Sequence, residues 1–290
     1  MEPFLFSSIN TFLTDPLTHD FMRKALFMSS LVAAVCGFLS SFLTLKGWAL
    51  MGDAVSHSVM PGVVVAYALG LPFSLGAFIF GVGSVALIGF VKQKSRVKED
   101  TVIGLVFTGF FALGIVLVSK IKSNIDLHSI LFGSPLGISL SDVKQTILIS
   151  FLVVILLSVF RKDLMLYCFD PRHAKNVGIN VLFLHYLLLT CLSLAAVVGL
   201  QTVGIILVVA MLITPGATAY LLTDNFDNMT IISVFSAIIS SVIGIYCSFW
   251  FDLETGGSIV LAQTFIFLVA FLFAPRYGIF KFKRIFPNYK

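Results

Sequence analysis

The sequence predicts an all-α integral membrane protein, one bundle of about 8-9 transmembrane helices. Three observations predict it. Hydrophobic residues make up 58% of the chain and charged residues 11%, against roughly 45–50% and 25% in soluble domains. Several uncharged windows reach the roughly 20 residues that a bilayer span requires. None of those windows keeps a polar stripe that could face water in a buried soluble core.

In chain order, Phe4–Leu13 is a candidate interfacial or partly inserted helix, which leaves the number of spans open by one. Residues 1–20 lack the basic start, apolar stretch and small-residue site of a cleavable signal peptide. Ala25–Leu45 is the first full window, and Ala33, Gly37 and Ser41 at helical spacing suit close helix packing in lipid. Ala54–Val91 is double length and splits at Gly70-Leu71-Pro72, a turn signal. Thr101–Ser119 follows, with Gly104 and Thr108 as a second small pair, and then Gln145–Phe160. Asn176–Thr223 is again double length, with the split expected at Gly199-Leu200-Gln201. Asn228–Phe251 and Thr255–Pro275 complete the set. Residues 1–290 read as a single transmembrane domain, with 1–20 extracytoplasmic or interfacial and 276–290 a basic cytoplasmic tail.

Orientation follows from lysine and arginine in the loops. Thirteen of the nineteen lie in three places: four in 92–98, four in 161–175 and five in 276–290. Alternation over nine spans puts all three on one side, expected to be the cytoplasm. The 120–144 loop and the loop carrying Asp252 and Glu254 then lie outside, and the acidic loop with Asp224 and Asp227 lies inside.

Chemistry concentrates in Gly47–Gly62, which sets an acid and an imidazole among apolar residues. At i,i+4 spacing Asp53 and His57 share one helix face, with Cβ atoms about 5–6 Å apart. A carboxylate inside a bilayer costs at least ~2.5–3.5 kcal/mol on insertion scales, so such a residue points to function by default. Carboxylate oxygen with imidazole nitrogen suits Mn, Fe or Zn. An Asp–His hydrogen bond that braces the second helix is the competing reading, at about even weight. A closed metal site also needs four to six donors. Asp126 and His128 are candidates in the outer loop, although a lone loop histidine is usually solvated. His19, His173 and His185 are weaker candidates.

Asp170–Gly178 reads as a complete short helix: Asp170 as N-cap, Pro171 at the first helical position, Gly178 at the left-handed C-terminal position. With Arg172 and Ala174 between them, this basic helix suits docking of a cytoplasmic motor subunit, and an interfacial loop helix with no partner fits equally well. Pro61 and Pro215 inside apolar spans each remove a backbone hydrogen bond and are candidate kinks or gating points. Cys36, Cys168, Cys191 and Cys247 form no CxxC and read as small hydrophobes. The sequence has no GxxxxGK[ST], HExxH or GxSxG, so ATP chemistry, if used, belongs to another chain.

The run Leu45–Gly62 resembles the signature of the ABC-3 permeases, the membrane subunits of bacterial manganese, zinc and iron ABC importers. The resemblance continues through Glu99–Gly104, Asp126–Gly133, Asp170…Ala174…Gly178 and Val203–Ala219, and so covers nearly the whole chain. It implies a type II ABC importer-like bundle in the bacterial inner membrane with a short cytoplasmic coupling helix. The implied partners are a second permease copy, identical or paralogous, two ATPase subunits and an extracytoplasmic metal-binding protein; no nucleic acid is involved. Asp53 and His57 fall on the family's metal-pathway positions, and Asp170–Gly178 on its ATPase-coupling helix. The Gly52-Asp53…Met60-Pro61-Gly62 version and the Glu99-Asp100 pair resemble the manganese and iron branch more than the zinc branch. The implied cargo is Mn²⁺, with Fe²⁺ and Zn²⁺ as alternatives, and no permanently bound cofactor is expected. At Glu254 relatives often carry proline. Two readings from other classes stand beside this one: an intramembrane metal-dependent hydrolase, which lacks a general-base motif, and a secondary transporter, which would work without an ATPase.

Overall fold

The computed structural model describes residues 14–120, 140–274 and 278. The expectations for Phe4–Leu13, for Asp126 and His128, and for all but Gly278 of the 276–290 tail fall outside these residues. The first helix, α1, runs Asp20–Lys46 and ends because Gly47 takes a left-handed conformation at φ 75°. The Gly47 amide donates to the Thr44 carbonyl at 3.1 Å and the Trp48 amide to the Leu43 carbonyl at 2.8 Å. That is a Schellman stop, and α2, Ala49–Ala68, starts at once behind it. Gly70 at φ 67° and Pro72 at the next N-cap turn the chain into α3, Phe73–Lys94, at the expected split. Then follow α4, Glu99–Lys120, and α5, Leu140–Val159.

Beyond α5 the helical path bends by 70° into α6, Arg161–Phe169. The sequence reading treated this stretch as loop. It is helical because Leu164, Tyr167 and Cys168 form one buried face, packed against α1, while Arg161, Lys162 and Asp163 stay at the polar start. A six-residue helix α7, Pro171–Asn176, precedes α8, Val181–Val203. α8 does not break at Gly199-Leu200-Gln201. The break falls at Gly204, whose φ of 85° only glycine adopts without strain, and α9, Ile205–Leu222, begins immediately. Gly199 stays helical, its carbonyl accepts from the Gly204 amide at 3.2 Å, and Val208 packs so closely that a Cβ there would overlap it. α10, Phe226–Phe251, and α11, Thr255–Phe273, complete the bundle.

Among the described residues six helices are long and apolar enough to cross a membrane: α1, α3, α4, α8, α10 and α11. The bent α5–α6 pair makes a seventh if taken as one span. The other two windows are helical as well, as α9, Ile205–Leu222, and α2, Ala49–Ala68, which carries Asp53 and His57.

Two helices organise the packing. α1 lies against α9 and α10, and α2 against α3 and α4, while α8 contacts both groups. Gly37 on α1 lets Ser233 and Ala237 of α10 approach, and Ser233 Oγ donates to the Gly37 carbonyl at 2.6 Å. The expected small-residue face of α1 is therefore its α10 contact. A Cβ at Gly104 on α4 would meet nothing within 4 Å among the described residues. Gly62 of α2 and Gly76 of α3 meet so closely that a Cβ on either would overlap the other's backbone. Large apolar side chains such as Phe90, Leu105, Phe151 and Phe265 point outward, as lipid permits and water does not.

Candidate functional site

The Lys46-Gly47-Trp48 turn fixes where α2 begins, and so where its polar face lies. Asp53 stands about 6 Å along the helix axis from Ala49 and His57 about 12 Å, from a rise of about 1.5 Å per residue. His57 Nε2 lies 3.3 Å from Asp53 Oδ1, with the two side chains 18% and 33% exposed. The i,i+4 geometry therefore brings the two together. Phe107 and Phe111 of α4 set their rings edge-on to the imidazole, at centroid distances of 5.0 and 5.2 Å. His57 Nδ1 is buried without a hydrogen-bond partner. Nothing in the sequence signalled these aromatic neighbours, because they come from a different helix.

Pro61 adds a backbone effect. It has no N–H, so the carbonyl four residues back, that of His57, loses its usual helical donor. Gly114 of α4 packs over this point, with a built Cβ meeting Met60 Cγ at 3.2 Å and Pro61 Cδ at 3.3 Å. Pro215 on α9 has a similar setting. The next amide, Gly216, donates to Ser40 Oγ on α1 at 2.8 Å, and Ser40 Oγ lies 3.3 Å from the Ile213 carbonyl. Serines beside the acid, Ser56 and Ser58, bond back to the Gly52 and Ala54 carbonyls at 2.8 and 2.6 Å. Among the described residues no group of three or more His, Cys, Asp or Glu side chains converges. The pair thus offers one carboxylate and one imidazole, chemistry that suits transient contact with a divalent ion more than a closed resident site.

At the other sequence-predicted feature, the Asp170 carboxylate accepts from the Arg172 and His173 amides at 2.9 and 3.1 Å. The His173 amide bond is the main reason its carboxyl is held below the ordinary aspartate value. At the far end the Gly178 amide reaches the Lys175 carbonyl and the Ile179 amide the Ala174 carbonyl, both at 3.1 Å, a second Schellman stop with Gly178 at φ 90°. Ala174 is fully buried, and Arg172, His173 and Lys175 are exposed. Arg161 at the start of α6 pairs with Asp227 in the first turn of α10, which puts these two loops at one end of the bundle. Sequence reasoning missed that pair, and also the role of Glu254. Its carboxylate caps α11 by accepting from the Gly256 and Gly257 amides at 3.2 and 2.6 Å.

Among the described residues, a lipid-facing bundle with one close acid–imidazole pair and a capped helix at one end is the architecture of a multi-pass membrane protein. The chain belongs to the ABC 3 transport family, which matches residues 18–274. It is 54% identical over 267 residues to the manganese transport system membrane protein MntB of Synechocystis, covering 92% of this chain and 87% of that one. It is 47% identical over 267 residues to the chelated iron transport system membrane protein YfeC of Yersinia pestis, covering 92% and 91%. Among solved structures it is similar to PsaBC from Streptococcus pneumoniae in complex with Fab, with a TM-score of 0.86, 39% identity, and 95% and 100% of the two chains covered.

Proposed function

We propose that this chain is the permease subunit of an ATP-binding-cassette importer that moves a divalent transition metal into the cytoplasm, manganese first and iron as the second candidate. The observation that carries this reading is the placement of Asp53 and His57, 3.3 Å apart inside the bundle, in a chain whose family match spans residues 18–274. Relatives named for manganese and for iron support the choice of cargo. Mn²⁺ ranks among the weakest binders of the divalent series, and a two-donor station suits an ion that must leave again. Asp126 and His128 are proposed as outer contacts, with backbone carbonyls and water completing the shell. Zinc is the alternative cargo.

In this reading α2 and α9 also lie within the membrane and bring the number of spans to about 8-9. The end bearing Lys46, Lys92 and α7 faces the cytoplasm of a bacterial inner membrane, with the N-terminus outside and the C-terminus inside. A second permease copy, two ATPase subunits that hydrolyse ATP, and an extracytoplasmic metal-binding protein complete the machine. α7, through Asp170, Pro171, Arg172, Ala174 and Gly178, transmits ATPase movement to the bundle, and Pro61 and Pro215 let α2 and α9 flex. Radiolabelled manganese uptake by cells expressing the assembled complex is the direct test. Asp53→Ala should abolish uptake while insertion and assembly persist, and undiminished uptake in that variant would remove Asp53 from the path.

A further inference from the structure

The structure assigns Lys46 a positioning role in transport: it ties the corner between α6 and α7 to the start of α2, the helix that carries Asp53 and His57. This assignment deepens the importer reading above and rests on it. α6 stops because Asp170 is extended, at φ −143° and ψ 96°. The Asp170 amide still reaches the Leu166 carbonyl at 2.9 Å. For the next carbonyl, that of Tyr167, the helical donor would be residue 171, and Pro171 has no N–H. Lys46 Nζ donates there instead, at 3.2 Å. Lysine suits this place, since its stem reaches across and its charge meets the negative end of the helix dipole.

Rings hold the same ammonium on its other sides. It sits 4.0 Å from the centroid of Tyr167 and 5.7 Å from that of Trp48, and both rings are buried, where a cation–π contact is worth most. The Trp48 ring meets His185 of α8 edge-on at 5.3 Å, and His185 Nδ1 lies 2.9 Å from the Tyr167 hydroxyl. Lys46 is the last residue of α1 and Trp48 the cap residue of α2, with only Gly47 between them. Asp53 stands about 7.5 Å beyond Trp48 along the axis. α6 packs on α1 and α8, so a tilt of the α6–α7 corner pulls on the Lys46–Trp48 turn and swings the base of α2. The clamp gives movement of α7 a path to the acid–imidazole pair through side-chain contacts rather than along the chain.

The test uses the full complex, this chain with its ATPase subunits and metal-binding protein in liposomes, with ATP hydrolysis and radiolabelled manganese uptake measured on the same preparation. Lys46→Met keeps the apolar stem and removes the ammonium. It should leave assembly and ATP hydrolysis near wild type and lower the manganese moved per ATP about tenfold, within the usual range for coupling between two sites. Lys46→Arg, whose guanidinium can donate to the same carbonyl and stack on the same rings, should restore most of that ratio. Trp48→Leu keeps the carbonyl bond and loses only the ring at the base of α2. It should lower the ratio as well, and it decides the question if Lys46→Met does not assemble. An unchanged ratio in the deciding variant, a parallel fall of hydrolysis and uptake, or no rescue by arginine would each overturn the assignment and leave the importer reading intact. No ATP-driven uptake of manganese or of iron by the wild-type complex would overturn the importer reading itself, and this assignment with it.

Discussion

At the scale of single residues, two kinds of position matter: those that can touch an ion and those that let helices meet. Asp53 and His57 are proposed for the first. His57→Ala keeps the carboxylate but removes the imidazole, so apparent affinity for manganese in uptake assays should fall at least about tenfold, the lower end of what even a supporting metal contact is worth. Gly62 belongs to the second. Its α-carbon faces the Gly76 backbone with no room for a methyl group, so Gly62→Ala should lower stability in detergent by roughly 1–3 kcal/mol, an overpacking cost, read as a lower thermal midpoint. The acid–imidazole pair was legible in the sequence because i,i+4 spacing is a local property of any helix. Phe107 and Phe111 were not, because nothing local says which face of α4 turns toward α2.

Among the elements, α7 was the most legible and α6 the least. Asp170, Pro171 and Gly178 are cap signals that work within a few residues, and the structure uses each of them. α6 carries no such signals, and its helical state depends on burying Leu164 and Tyr167 against α1, a tertiary effect. Gly199 and Gly204 stand five residues apart in one apolar run, and only the backbone conformation distinguishes the packed glycine from the turning one. Two tests belong to α7. Ala174 is enclosed, so Ala174→Leu should push the helix away from α6 and α8, and ATPase co-purification should drop sharply; unchanged co-purification would count against a docking role. Asp170 provides a pH test with a fixed sign. Its carboxyl is held below the ordinary value by the His173 amide, so its support of α7 is complete above the unfolded aspartate value of about 3.9 and fades as pH falls through the lowered folded value. Amide exchange of α7 should thus be flat between neutral pH and about pH 5, after correction for the intrinsic exchange rate, and rise only under stronger acid. Asp170→Asn, an equally good cap, should abolish that acid dependence while keeping the helix.

The described residues form two helix groups, bridged by α8 and by the contact of α9 with α2. Lys46, Lys92 and Lys175 share one cavity, and Arg161 pairs with Asp227, so loops far apart in sequence gather at common ends of the bundle. Which end meets the cytoplasm can be read by thiol labelling. With Cys247, the one native thiol that is not fully buried, replaced by serine, Lys94→Cys should react only after cells are permeabilised and Leu253→Cys in intact cells; the reverse pattern would invert the proposed topology. The joint between α8 and α9 has a mechanical consequence. One residue, Gly204, separates the two helices, so there is no slack for α9 to slide and it can only swing. Leu212 lies about 10 Å out along that arm, and its side chain touches the Gly52 position, where a built Cβ would come within 3.3 Å. A swing of about 10° at this elbow would carry Leu212 through roughly 2 Å. The neighbour of Gly52 in the chain is Asp53, so a swing at the elbow would press on the turn of helix that carries the acid.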